Sequence, residues 1–250
     1  MFYDQEEEGI IKKFESYKNN AIRNYKITLT KFLNTREQEL LEFVIGKHDD
    51  VFLYFSFDSI DLEYKRAVIS PFEIEPDFKI KYLKLKYNQK FVKIDHRHLL
   101  GNIMGLQIER NMIGDILISR EGNVYIISSE EMSEFLIDNL RIYDHQAVEL
   151  LECSELVGDF TPNYDVKKYF FNSLRLDLVI SNLYNISRTV SQELIMSGNV
   201  KINQRKELNP VKNLIEGDLV SIKGHGRMKV ISIGGLSKSG KTMVELANII

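Results

Sequence analysis

The sequence predicts an α+β protein in three parts: an N-terminal α/β region over 1–77, a β-α-β-β-α-β middle domain over 78–160 and a helix-pair-and-strand module over 170–250. Three observations lead there. Apolar residues recur at helical spacing before residue 45, strict polar–apolar alternation begins at Lys81, and two short amphipathic segments after Leu174 run directly into strands.

Ile10, Ile11, Phe14 and Tyr17 mark a first helix, and Leu40, Leu41, Val44 and Ile45 a second. Thr35, with Gln38 three residues on, predicts a capping box for the second. The runs 51–57 and 67–69 are β-rich, and Pro71 and Pro76 interrupt regular structure before residue 78. Residues 81–87 alternate as a half-buried strand does, and a short helix is expected over 98–106. Strands at 115–119 and 124–127 meet across Glu121-Gly122-Asn123, a good hairpin turn. Ser128 and Ser129, followed by Glu130 and Glu131, open a helix whose apolar face carries Met132, Phe135, Leu136 and Leu140. A last strand over 147–153 completes the ferredoxin-like (RRM-like) order. Residues 158–165, with Pro162 and Asn163, read as a linker.

In the C-terminal part, a helix over 174–183 buries Leu176, Val179, Ile180 and Leu183. Ser187 is a natural N-cap for a second helix reaching Ser197, with Gly198 past its end. Strands at 200–203, 219–223 and 228–233 come next, separated by Glu216-Gly217-Asp218 and by Gly224-His225-Gly226-Arg227.

Composition narrows the class. Hydrophobic residues at 44% and charged residues at 28% are ordinary for a soluble globular chain, and no apolar run is long enough to span a membrane. Residues 1–8 lack the basic start and apolar core of a signal peptide, and the single cysteine, Cys153, excludes an intramolecular disulfide. A cytoplasmic location is expected. Charge is split unevenly. Residues 170–250 hold 11 Lys and Arg against 6 Asp and Glu, a net of +5, which leaves 22 against 30, a net of −8, in the remainder. That asymmetry points to a polyanion partner for the C-terminal part.

Several motifs look sharper than they are. Residues 235–242, GLSKSGKT, match the phosphate-binding P-loop pattern, but a working P-loop joins a strand to a helix inside a larger parallel sheet, and only eight residues remain. The flanks read better as two strands joined by a basic hairpin, whose Lys238 and Lys241 reach phosphates of a polyanion at most. Arg175-Leu176-Asp177 resembles the catalytic aspartate motif of pseudouridine synthases, but the threonine and glycine that come after it there are absent here. His96 and His98 have no cysteine nearby to complete a zinc site, and Cys153 lacks an evident histidine partner. Glycine-rich methyl-donor motifs are also absent. No metal, cofactor or catalytic residue is expected.

Leu174-Arg175-Leu176-Asp177, Ser187-Arg188 with Gln192 and Ile195, Gly198-Asn199-Val200 with Asn203, and Glu216-Gly217-Asp218 together resemble the alpha-L (αL) RNA-binding domain first known from ribosomal protein S-four. The resemblance implies that the helix pair and adjoining strand present a basic face to structured RNA. Physical chemistry points the same way: a helix start at Ser187 and Arg188 favours phosphate, and Arg188 and Gln192 share a face at i, i+4. Arg175, Ser187, Arg188, Gln192, Lys201, Asn203, Lys206, Lys223, His225 and Arg227 are the expected RNA-binding residues.

Upstream, Arg36-Glu37-Gln38-Glu39, Lys65-Arg66-Ala67, the run 95–101, Met104-Gly105-Leu106, Ile108-Glu109-Arg110 and the run 113–117 are similar to the YlmH family of bacterial proteins over nearly the whole chain. His98 departs from the acidic residue that family often has. The resemblance implies a non-catalytic protein binding large-subunit rRNA, tRNA or both, in ribosome-associated quality control of stalled nascent chains, with cell-division proteins as further partners. The alternative is an RNA-modifying enzyme, of pseudouridine synthase or methyltransferase type, that uses the same domain for targeting. The middle strands lack the paired aromatics that stack bases in RRM-type domains, so single-strand readout on that sheet is not expected.

Overall fold

A 20-residue helix, α1 (Gln5–Asn24), opens the computed structural model, which describes residues 5–46, 50–57, 62–160, 165–237 and 240–249. Glu6, Glu7 and Glu8 lie in its first turn, where carboxylates complement the helix dipole. After β1 (Thr28–Leu29) comes α2 (Thr35–Ile45), and Phe14, Ala21, Leu40, Leu41 and Ile45 share one core. The capping box lies one residue earlier than the sequence suggested. Asn34 Oδ1 accepts from Glu37 N at 3.1 Å and Glu37 Oε2 from Asn34 N at 2.9 Å. Gln38 is engaged elsewhere, because its amide donates to the carbonyls of Leu33 and Glu63. Strands β2 (Phe52–Phe55) and β3 (Ala67–Ser70) complete an antiparallel sheet in the order β1-β3-β2.

The middle elements are β4 (Ile80–Lys86), α3 (His96–Gly105), β5 (Ile113–Ile118), β6 (Val124–Ser129), α4 (Glu130–Asn139), the small hairpin β7 (Ile142–Tyr143) and β8 (Gln146–Ala147), and β9 (Glu149–Cys153). Their antiparallel sheet runs β5-β6-β4-β9, the ferredoxin-like order. Period two sends Leu83, Leu85, Val124 and Ile126 toward the helices, where they meet Leu99, Ile103 and Leu136.

The other face of this sheet is also covered. Ile127 packs with Phe32 and Leu62, joined by Phe57, Tyr82 and Leu117. Tyr125 lies under Phe160 with ring centroids 5.6 Å apart, and its hydroxyl donates to Val157 O. Gly114 allows this closure, since a Cβ there would sit 2.8 Å from Phe32 Cε1. Consequently the boundary expected at 77/78 is bridged by packing, and residues Met1–Thr161 form one compact unit.

Asp115 sits at this junction and accepts from Tyr64 N at 2.9 Å. Burial pushes its carboxyl up to about 6, against the opposing pull of that hydrogen bond. The folded state therefore binds this proton more tightly than an unfolded carboxyl of pKa about 4. Stability from this group is present below about pH 4, is lost as pH rises to about 6 and is flat above. Asp115→Asn is expected to remove that slope, measured as the urea midpoint between pH 4 and 7. An unchanged slope would rule the assignment out.

The second compact unit, Pro162–Ile250, holds β10 (Asp165–Phe171), α5 (Leu176–Leu183), α6 (Arg188–Met196), β11 (Val200–Ile202), β12 (Arg205–Lys206), β13 (Leu219–Ile222), β14 (Gly226–Leu236) and β15 (Thr242–Ile249). Its antiparallel sheet runs β10-β15-β14-β13-β11-β12, with α5 and α6 packed on one face through Leu176, Val179, Ile180 and Ile195. The sheet thus begins before residue 170. Residues 165–171, which the sequence left between a linker and the module, pair with β15 along their whole length. Strand β12 was also unforeseen. Asn203 and Gln204, both at positive φ, form the two-residue turn that folds it onto β11. The segment resembling a P-loop lies in the β14–β15 hairpin and no helix comes after it among the described residues, in line with the hairpin expected. Lys238 lies outside the described residues, whereas Lys241 N donates to Ser237 Oγ.

Candidate nucleic-acid interface

The helix pair is organised around one buried carboxylate. Asp177, in the first turn of α5, has no exposed side-chain surface. It accepts from Arg175 Nε at 3.1 Å and Nη2 at 2.9 Å, from Arg188 Nε at 2.9 Å and from Gln192 Nε2 at 2.8 Å. Burial raises its pKa, but the donors Arg175, Gln192 and Arg188 outweigh that and hold it at about 2. The local sequence explains the geometry. Ser187 Oγ accepts from Val190 N and fixes the start of α6, and the i, i+4 spacing then aims Arg188 and Gln192 the same way. Ser191 Oγ donates to Asp177 O at 2.8 Å, which ties the two helices together. Arg188 keeps 51% of its side chain exposed and Arg175 30%.

Sequence reasoning named three of these partners but missed Asp177 as their organiser. A signal existed. An acid flanked by Leu176, Val179 and Ile180 on a buried helical face must be paired, and the nearby arginines at 175 and 188 are the cations in that stretch able to pair with it.

The remaining expected residues do not share this surface. Val200 and Ile202 face the helices, so period two turns Lys201 to the opposite side of the sheet. There Lys201 pairs laterally with Lys206 and Ser221, and Ser221 with Arg227, giving a cross-strand row of three cations. Asn203 is engaged structurally: its Nδ2 donates to Asp218 Oδ1 at 3.0 Å and its Oδ1 accepts from Leu219 N at 2.8 Å. Lys223 and His225 occupy the β13–β14 turn. Lys223 N donates to Asn199 O, and the His225 ring lies edge-on to Tyr184 at 5.3 Å.

Other candidates are quiet. The ring of His98 packs on Tyr143 at 4.8 Å, and among the described residues no group of three or more His, Cys, Asp or Glu could hold a metal ion. Burial pushes the Cys153 thiol up, away from reactivity. Among the described residues no helix is long and apolar enough to cross a membrane.

Three arginines of the upstream motifs make internal contacts. Arg36 pairs with Glu7 at 2.8 Å and Glu39 at 2.9 Å, Arg66 lies buried against Phe32, and the Arg110 guanidinium stacks over Tyr64 at 3.9 Å.

Comparison with known proteins places the whole chain. It is 36% identical over 247 residues, 97% of this chain and 95% of its relative, to a Bacillus subtilis (strain 168) protein called ribosome-associated protein quality control protein P2. Residues 74–156 match the family described as "Putative RNA-binding domain in YlmH". The chain belongs to the YlmH family. A solved structure, cell division protein ylmH from Streptococcus pneumoniae, is similar with a TM-score of 0.52 and 25% identity, covering 62% of this chain and 94% of that one. The matched family domain falls on the ferredoxin-like domain, whereas the likeness to the Bacillus subtilis protein, at 97% of this chain, takes in the helix pair as well.

Proposed function

We propose that this YlmH-family chain is a non-catalytic RNA-binding factor of the bacterial ribosome. In this reading it contacts large-subunit rRNA, tRNA or both during quality control of stalled nascent chains. The observation that carries the proposal is the Arg175–Asp177–Arg188–Gln192 constellation, in which a buried acid orients two cations and an amide beside the N-terminus of α6. The name of the Bacillus subtilis relative supports the ribosomal setting. Burial of Asp177, with its carboxylate engaged by three side chains, supports a positioning role for it over the catalytic role that the resemblance to pseudouridine synthases suggests.

In this reading Arg188 contacts phosphate, so its loss weakens binding without changing which sequence is preferred. Arg188→Ala is expected to lower affinity for purified large ribosomal subunits. The slope of log affinity against log salt should also become shallower, by roughly 0.7–0.9 for each phosphate that the arginine neutralises. Equal affinity and equal slope for the two proteins would refute the assignment of this surface.

A further inference from the structure

The ferredoxin-like domain matches an RNA-binding family, yet one face of its sheet is packed by α3 and α4, and the central part of the other, around Tyr82, Tyr125 and Ile127, by Phe32, Leu62 and Phe160. Stacking of bases on open strands, as in RRM-type domains, is therefore closed to it. The β4–α3 loop offers a different platform. Phe91 is 78% exposed, more than any other large apolar side chain among the described residues, and no other such exposed residue lies between Phe72 and Phe135.

The exposure is imposed by the fold. Asn88 O accepts from both Phe91 N and Val92 N at 3.1 Å, and Asn88 Oδ1 accepts from Lys90 N. Tyr87 and Gln89 donate to Gly122 O at 2.7 and 3.1 Å, which ties the loop to the β5–β6 turn. Just beyond, Val92 and Ile94 are buried in the core, so the loop is anchored on both sides of a phenyl ring left in solvent. Residues 86–93 carry three exposed lysines, Lys86, Lys90 and Lys93, and no acid. Three neighbouring acids are already engaged: Glu149 pairs with Lys86 at 3.2 Å, Asp95 caps α3 through His98 N, and Glu121 accepts from Asp159 N.

We propose that this loop binds an unpaired RNA base, with Phe91 as the stacking surface and Lys90 and Lys93 as contacts to the flanking phosphates. The proposal rests on the RNA-binding reading above and gives the middle domain its own contact. One aromatic face among cations suits a base, which needs a single π-surface and a neutralised backbone. A protein partner calls for a wider apolar core, which this stretch lacks.

The chain contains no tryptophan, so Phe91→Trp supplies a unique fluorophore in the full-length protein. Titration with oligoadenylate is expected to quench its emission in a saturable, salt-sensitive way, and duplex RNA is expected not to. Phe91→Ala should lower affinity for oligoadenylate by roughly 5- to 100-fold, and Phe91→Leu, which is apolar but has no π-face, should do the same. Absence of quenching together with unchanged affinity in Phe91→Ala would overturn the proposal. So would full retention of binding by Phe91→Leu, or equal quenching by duplex RNA. If the wild-type chain binds large subunits and depends on Arg188 while Phe91 is silent, only this site falls. If the wild type binds neither subunits nor oligoadenylate, the functional reading falls with it.

Discussion

Arg66→Ala is expected to destabilise the N-terminal unit by about 3–5 kcal/mol, because the side chain is buried and serves two distant carbonyls at once. The Arg66 side chain is 4% exposed, its Nε donates to Thr30 O at 2.8 Å and its Nη1 to Lys79 O at 3.0 Å. Its guanidinium also lies over the Phe32 ring and 3.6 Å from Glu131. Burial lowers its pKa, and the charges of Glu131, Asp77 and Glu130 oppose that. Truncation leaves the two carbonyls without their donor at roughly 1–3 kcal/mol each, and removal of the packed stem adds the rest. Arg66→Lys keeps the charge but not the planar fork, so it should recover less than half of the stability. Urea denaturation with circular dichroism as the probe measures both. A destabilisation under about 1 kcal/mol for Arg66→Ala would mean that water replaces the guanidinium easily.

That residue also shows how far the sequence could be read. Lys65-Arg66-Ala67 stood out as a family motif, but nothing local says that its arginine reaches carbonyls at residues 30 and 79. Local periodicity was readable where one face of an element is apolar, as in β4, α4, α5 and α6. It failed where partners are distant. Phe32 closes the second face of the ferredoxin-like sheet against Gly114 and Ile127, residues far away in the chain, and no short window reveals such a pairing. Strand β10 was missed because Pro162 and Asn163 dominate the reading just before it, while its pairing partner, β15, lies at the far end of the unit.

The helix-pair site was legible from motif spacing more than from charge. Spacing singled out Arg175, Arg188 and Gln192, and they do converge. Charge alone groups Lys201 and Arg227 with them, yet strand alternation places Lys201 opposite Val200 and Ile202, away from the helices. Two separate basic surfaces are therefore present on the C-terminal unit, and charge counting cannot distinguish them.

Asp177→Asn separates positioning from simple charge by the sign of its effect. Removing an acid makes the helix-pair surface more positive, so electrostatics alone predicts tighter RNA binding. If Asp177 instead orients Arg175, Arg188 and Gln192, the neutral amide holds them poorly and binding to large subunits weakens. We expect the weakening. Stability should fall too, by roughly 2–3 kcal/mol, because charge-assisted hydrogen bonds to a buried carboxylate are removed while the arginines are re-solvated. The pH dependence gives an independent check. The folded pKa of about 2 lies below the usual carboxylate value, so this stabilisation is present above about pH 4 and is lost as pH falls toward 2. The variant lacks that component of acid sensitivity. Binding should be measured well below the thermal midpoint, with helix content verified by circular dichroism. Tighter binding by a folded Asp177→Asn protein would show that the carboxylate restrains the surface charge and does not organise it.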